Sequence, residues 1–277
     1  GAVIQSIDVG TIYDVPIKML QEGLDKVVLN KLKLKSKPHK LDEWNSFLKK
    51  YKNPKGKVRI GLVGKYVELQ DSYKSILEAS IHAGAVNEVE VEIVSIHSEF
   101  LNQTNTEEQL KSLDGLIVAP GFGERGIEGK ISAINYVREN KIPFFGICLG
   151  MQMAVIEYSR NILKYKSANS TEINENTDYP VIDLMENQKG VLNKGGTMRL
   201  GSWDCELTKD SRVAKAYGKR SIKERHRHRY EFNNLYRSEV FESGSFKVVG
   251  INPDTNLVEI VENVDHPWFV GVQFHPE

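Results

Sequence analysis

The sequence predicts an α/β fold, a mostly parallel central sheet flanked by helices, with a small added β region. Three observations carry this. Apolar runs of strand length alternate with amphipathic helical stretches from Lys57 to about Leu163. Several of those runs open straight into glycine-bearing turns. In the last third, helical periodicity gives way to further short strands.

In chain order, "TIYDVPIKML" and "EGLDKVVLNKL" carry helical turns with apolar faces, but residues 1–30 hold too few strands to stand as a domain. Residues 31–55 read as a linker: a basic stretch, "KLKLKSKPHK", then a short amphipathic helix in "LDEWNSFLKKYKNPKG" that ends at Pro54 and Gly56. The main domain is expected over 56–277. "VRIGLVG" is a buried strand, and the helix around "SYKSILEASIHAG" is expected to stop at Gly84. "VEVEIVSI" alternates as a strand. "LDGLIVAPGFG" is a strand running into a glycine-rich loop, "KISAINYVREN" a helix, and "PFFGICLG" a buried strand leading into the helix "MQMAVIEYSRNIL". "KVVGI", "NLVEIVE" and "WFVGVQF" supply the added strands, the last expected over Trp268 to Phe274.

Composition narrows the function classes. Lysine plus arginine equals aspartate plus glutamate at 37 each, so no global field favours nucleic acid or an anionic membrane. No apolar run reaches the roughly 18 residues that would suggest a membrane span. The N-terminus carries no basic region followed by an apolar signal core. Two cysteines, Cys148 and Cys205, cannot build a disulfide scaffold, and a reducing cytoplasm is the expected setting. Cys205 reads as a packed residue. There is no Walker lysine pattern and no GxGxxG between a strand and a helix, hence no direct nucleotide motif.

Cys148 is different. Gly146-Ile147-Cys148-Leu149-Gly150 has the G-x-nucleophile-x-G form of a sharp strand-to-helix elbow, where flanking glycines relieve crowding. The helix N-terminus beyond it favours a thiolate and a developing oxyanion. An ordinary thiol is mostly protonated at neutral pH, so a base must accompany it. "WFVGVQFHPE" supplies one: His275 follows the last strand, and Glu277 sits two residues on, where an extended chain points both side chains the same way. The carboxylate can then hold the imidazole tautomer, giving the order Cys148, His275, Glu277.

With these residues in view, "GICLGMQ" and the terminal "FHPE" resemble the class I, or triad, glutamine amidotransferases, whose fold is flavodoxin-like. More narrowly, "VGKYVELQDSYKSILEA", "PGFGERGIEGK", "GICLGMQMAVIEYSRN", "ANSTE", "GGTMRLG", "ERHRHRYEFNN" and "HPWFVGVQFHPE" are similar to the CTP synthase family. "VIQSIDVGTIYDVP" resembles the end of that family's synthase domain. The resemblance implies that Cys148 attacks the side-chain amide of L-glutamine, that His275 moves the proton and that Glu277 orients it. It assigns Gly121 and Leu149 to the oxyanion, and Gly150, Met151, Gln152, Glu172 and Arg229 to the substrate. Of these, Glu172 suits the α-ammonium and Arg229 the α-carboxylate. The family reads P-G-G-F-G where this chain has Ala119-Pro120-Gly121-Phe122-Gly123; proline lacks an N–H, which weakens any donor role at position 120 and leaves Gly121 intact.

Further implications follow from the resemblance alone. No cofactor is expected in this chain, while ATP and Mg2+ belong to a synthase domain that also takes UTP. GTP is the expected activator, and "GERGIEGK", Gly123 to Lys130, resembles the lid linked to it, although a plain glycine-rich loop fits as well. Ile7, Asp8 and Val9 match a stretch lining the adenine pocket. The full enzyme of that family is a homotetramer. No metal site, nucleic acid or membrane is expected. In "RHRHRYE", Arg225, Arg227 and Arg229 are expected on one strand face and His226, His228 and Tyr230 on the other. A different triad amidotransferase and a non-catalytic regulatory α/β domain remain the alternatives.

Overall fold

A computed structural model of the chain describes residues 2–35, 40–184, 198–242 and 244–277. The start of "GGTMRLG" and the middle of the basic linker stretch lie outside them. The chain divides into two compact units, Gly1–Lys57 with Ser80–Val91, and Val58–Ala79 with Glu92–Glu277.

The first unit contains α1 (Val15–Gln21), α2 (Leu24–Leu32) and α3 (Asp42–Lys52). Acidic residues open α3 and lysines close it, as the helix dipole favours. Tyr13 is buried at the middle of an aromatic cluster. Its ring lies 5.1 Å from Phe47 and 5.3 Å from Tyr51, Trp44 Nε1 donates to its carbonyl at 3.0 Å, and its hydroxyl lies 3.3 Å from His82 Nε2. Edge-on aromatic pairs of this kind contribute about 0.5–1.5 kcal/mol each beyond area burial.

The strands are β1 (Gly56–Gly64), β2 (Val89–His97), β3 (Gly115–Val118), β4 (Phe144–Ile147), β5 (Asn169–Ser170), β6 (Pro180–Leu184), β7 (Arg199–Leu207), β8 (Ser221–His228), β9 (Tyr230–Phe232), β10 (Phe246–Ile251), β11 (Val258–Asn263) and β12 (Phe269–Val272). The remaining helices are α4 (Lys74–Asn87), α5 (Thr106–Leu110), α6 (Ile127–Glu139), α7 (Leu149–Asn161), α8 (Arg212–Tyr217) and α9 (Arg237–Phe241). Among the described residues the main sheet has the order β2-β1-β3-β4-β12-β11-β10-β7-β8. β1, β3, β4 and β12 pair in parallel. β11, β10, β7 and β8 extend the same sheet as antiparallel neighbours. The added β region is therefore largely continuous with the parallel half, and a separate small sheet, β5-β6-β9, completes it.

The main core joins β3, β4 and β12 to α6 and α7 through Val118, Phe144, Phe269, Ile134, Met151 and Val155, all buried. Burial of each such side chain contributes about 1.5–3 kcal/mol; α7 is buried from Leu149 to Ser159, and its buried Glu157 is paired with Arg138. A second cluster holds Cys205, Leu207, Val249, Ile260 and Val272, so Cys205 packs as expected.

Three local expectations shift. α4 runs past Gly84 to Asn87; a Cβ on Gly84 would lie 2.7 Å from the Val89 carbonyl, so the glycine admits the next strand and does not end the helix. β12 is shorter than Trp268 to Phe274, and beyond it Gln273 N–H donates to the Glu259 carbonyl at 2.8 Å. The alternation in "RHRHRYE" holds through His228, with Arg225 and Arg227 exposed and His226 and His228 buried. It breaks at half-buried Arg229 because Tyr230–Phe232 pairs with β6 in the other sheet.

Candidate active site

Cys148 sits between β4 and α7 with φ 52° and ψ −102°, a left-handed backbone that a residue with a Cβ rarely adopts. Its N–H donates to the Val272 carbonyl at 2.7 Å, and its carbonyl accepts from Met151 and Gln152 N–H at 3.1 and 3.2 Å. The flanking glycines have distinct reasons. A Cβ on Gly146 would meet Gly150 backbone at 2.7 Å, and one on Gly150 would meet the Val118 carbonyl at 2.4 Å. The elbow exists because α7 starts in backbone contact with β3 and β4.

The thiol lies at the floor of the site. Burial pushes it up to about 12, against the pull of the Leu149 N–H, with Glu231 and Glu277 adding to the rise and Lys130 opposing it. The helix terminus thus acts in the expected direction and is outweighed by desolvation. Gln273 Nε2 lies 3.7 Å from Sγ and its Oε1 accepts from Gln152 Nε2 at 3.2 Å.

His275 N–H donates to the Arg225 carbonyl at 2.8 Å, and His275 Nδ1 lies 3.0 Å from Glu277 Oε1. A carboxylate there selects the Nδ1–H tautomer and leaves a lone pair on Nε2. His275 Nε2 is buried and has no hydrogen-bond partner among the described residues.

Cys148 and His275 line the same cleft, of about 570 Å³, with Gly121, Gln152, Glu172 and Arg229. Glu172 accepts from Gly123 N–H at 3.0 Å, which ties it to the 119–123 loop. Leu149 contributes its N–H at the thiol. Gly150 and Met151 do not reach the cleft: Met151 is fully buried in the core against Gly271, and Gly150 is spent on the backbone approach to Val118. The Met151 side chain is thus spent on packing. Ile7, Asp8 and Val9 lie in the first unit, without regular secondary structure and largely exposed.

The structure adds residues that sequence reasoning passed over. Lys130, where the glycine-rich loop and the expected helix "KISAINYVREN" meet, belongs to the first turn of α6 and is buried; its Nζ donates to the Ala119 carbonyl at 2.8 Å. Burial, reinforced by nearby Lys65, brings its ammonium down to about 7. Lys65 Nζ in turn donates to the Phe122 carbonyl at 2.5 Å and lies over the Phe122 ring. Two lysines thus hold the carbonyls on either side of Pro120-Gly121, which leaves the loop shaped without a donor at proline. The only signal for Lys130 was a lysine at a helical spacing among apolar residues. His228 also lines the cleft. Among the described residues no group of three histidine, cysteine or acidic side chains could hold a metal.

A thiol on a strained elbow, an imidazole oriented by a carboxylate and a glycine-rich loop beside a helix N-terminus are suited to acyl transfer through a covalent thioester. Comparisons with known proteins agree. The family model for glutamine amidotransferase class-I matches residues 68–277. The chain is 66% identical over 278 residues to CTP synthase of Christiangramia forsetii, covering all of this chain and 50% of that protein. It is 52% identical over 277 residues to CTP synthase of Porphyromonas gingivalis, covering all of this chain and 51% of that protein. It thus spans about half the length of the curated relatives it matches. Among solved structures, the glutaminase domain of Trypanosoma brucei CTPS with bound acivicin matches with a TM-score of 0.73 at 39% identity, covering 79% of this chain and 86% of that one.

Proposed function

The chain belongs to the class-I glutamine amidotransferases, and from that membership we propose that it is the glutaminase half of a CTP synthase. One observation carries the site assignment: Cys148 and His275 open onto a single cleft whose polar lining includes Gln152, Glu172 and Arg229, groups suited to an amino acid.

His275 Nε2 takes the Cys148 proton, and the thiolate attacks the side-chain amide carbon of L-glutamine. Because burial disfavours an isolated thiolate, the proton leaves as the new C–S bond forms, and the imidazolium is stabilised by Glu277. The developing oxyanion accepts from the N–H of Leu149 and of Gly121. His275 then protonates the leaving nitrogen, ammonia departs, and a γ-glutamyl thioester remains. Water, deprotonated by His275, releases glutamate and restores the thiol. Glu172 pairs with the α-ammonium and Arg229 grips the α-carboxylate with its fork of donors.

In the whole protein the ammonia would aminate UTP to CTP, with ATP and Mg2+ held by a synthase domain and GTP as activator, in a cytoplasmic homotetramer. Residues 1–30 would be the tail of that domain, 31–55 the linker and 56–277 the amidotransferase domain. Ile7, Asp8 and Val9 would complete an adenine pocket with it. This chain offers no glycine-rich phosphate loop with its lysine, so no step of ATP chemistry is derived from its residues.

The test is covalent labelling with a glutamine-analogue electrophile, followed by peptide mapping. Label on Cys148 supports the reading, and label confined to any other residue overturns it. Conversion of UTP to CTP by the full-length protein, dependent on glutamine and ATP, tests the synthase assignment.

A further inference from the structure

Gln273 stands directly after β12 and two residues before His275, and it is fully buried. Its backbone N–H is taken by the Glu259 carbonyl at 2.8 Å, and the flanking Val272 and Phe274 pack into the second apolar cluster. Its side chain closes a short run of hydrogen bonds beneath the cleft. Gln152 Nε2 donates to the Tyr230 carbonyl at 2.9 Å and to Gln273 Oε1 at 3.2 Å, and Gln273 Nε2 donates to Cys148 Sγ at 3.7 Å.

The direction of this run is not free. Tyr230 offers a backbone carbonyl, which can only accept, so the Gln152 amide must turn its nitrogen towards it. An amide nitrogen carries two hydrogens, and the second meets Gln273. Were the Gln273 amide rotated by half a turn, its nitrogen would face that donor with no acceptor between them. The Gln273 oxygen is therefore held towards Gln152 and its nitrogen towards the sulfur. A carbonyl on β9 thus decides, through two side chains, that Cys148 faces a donor and not an acceptor.

The contact matters at this sulfur. Cys148 is only 4% exposed, so little water reaches it, and a buried anion is costly unless it is hydrogen-bonded. The Leu149 N–H also faces the sulfur, but it is drawn to the substrate oxygen once attack begins. The Gln273 donor stays with the sulfur.

We propose that Gln273 is a catalytic residue of the glutaminase reaction, its Nε2–H donating to the Cys148 sulfur and favouring the thiolate both as it forms and as it is regenerated. The inference rests on Cys148 being the nucleophile. Hydrogen bonds to an ionised acceptor are about twice as strong as neutral ones, so the contact tightens as the thiol proton passes to His275. In the second half-reaction water adds to the acyl carbon, the C–S bond breaks, and its electron pair returns to the sulfur opposite the same N–H. The other groups bearing on the sulfur are Lys130 from α6, Glu231 from β9, Glu277 beyond β12 and the His275 imidazole in the same cleft. A change at Gln273 leaves all four in place.

The experiment follows inactivation of the full-length protein by a glutamine-analogue chloroketone across pH, after mapping the wild-type label. Wild-type label away from Cys148 sinks the proposed function, and the role of Gln273 with it; label on Cys148 leaves Gln273 to be judged by its own variant. Gln273→Met keeps the length of the side chain and removes the N–H. The acid limb of its profile should rise by about one pH unit, roughly tenfold slower labelling below the limb. Turnover should fall by about tenfold or more, with KM for glutamine within about twofold of wild type. A residue that merely braces Gln152 gives the opposite pattern, a raised KM through the cleft wall and an unmoved limb. The position of the limb is the deciding readout: a limb that stays in place or moves down overturns the proposal, whatever KM does. If Gln273→Met does not fold, a crystal structure of the wild-type full-length protein decides. The Gln273 amide within hydrogen-bonding reach of Sγ is expected there, and a side chain turned away from the sulfur overturns the assignment.

Discussion

His275 Nδ1 and Glu277 Oε1 lie 3.0 Å apart across a single intervening proline, at the point where the last strand has left the sheet. The contact spends one ring nitrogen on orientation and leaves the other without a hydrogen-bond partner among the described residues. Glu277→Gln keeps the shape but can turn its amide N–H towards Nδ1 and favour the wrong tautomer. We expect kcat for glutamine hydrolysis to fall by about 10²-fold or more, with KM nearly unchanged, in steady-state assays of ammonia release.

Cys148→Ala removes the sulfur and retains the strained backbone. Glutamine hydrolysis should fall at least about 10³-fold while calorimetry still detects glutamine binding, because Glu172 and Arg229 remain. Residual ammonia release near the wild-type rate would exclude a thioester route through this residue.

Arg229→Ala should act mainly through binding. Loss of a two-pronged contact to the α-carboxylate is expected to raise KM for glutamine by about 10–100-fold, with a smaller change in kcat. Assays with added external ammonia in place of glutamine should leave the amination of UTP in the full-length protein intact.

Lys130 links pH to stability. Its ammonium is brought down to about 7 in the fold, below its ordinary value, so between about 7 and 10.5 the unfolded chain binds the extra proton. Stability from this group therefore rises with pH across that window and is lost as pH falls through 7, by up to about 1.4 kcal/mol per pH unit. Glu231 acts oppositely: a carboxyl pushed up to about 8 contributes stability at low pH that is lost as pH rises from about 4.5 to 8. Lys130→Met should flatten the rise between pH 7 and 10 in urea unfolding curves. It should also impair hydrolysis, since the Ala119 carbonyl loses its donor.

Gly150→Ala tests the elbow as packing. Its Cβ would fall 2.4 Å from the Val118 carbonyl, a backbone atom that cannot swing aside. We expect a loss of about 1–3 kcal/mol in unfolding free energy together with lower activity. An unchanged midpoint would mean that α7 can slide along β3 at no cost.

Much of this was legible in the residues. The elbow could be read because its glycines and cysteine are adjacent, and His275 with Glu277 because a two-residue extended spacing has one geometry. Gln152, Glu172 and Arg229 were legible only through resemblance, since nothing local marks a substrate contact. That the Met151 side chain packs under Gly271 was not legible either, because it depends on how β12 lies against α7. The burial of Lys130 and of the histidines of "RHRHRYE" was not legible, because burial of a charged group is a property of its neighbours.

By itself the sequence determined the alternation of strands and helices, the sharp strand-to-helix turn that its glycines relieve of crowding, and the chemical groups available, all consequences of periodicity and backbone sterics within a few residues. The tertiary structure decided which distant groups meet. It brought β12 beside β4 so that Cys148 and His275 share a cleft, and it buried the thiol deeply enough to oppose its own ionisation. It also buried Arg199 between Glu231 and Glu259, drawn from two other strands. The division has a physical cause: side-chain period is set by local geometry, whereas strand order and the dielectric around a charge arise only when the sheet is assembled and water is excluded.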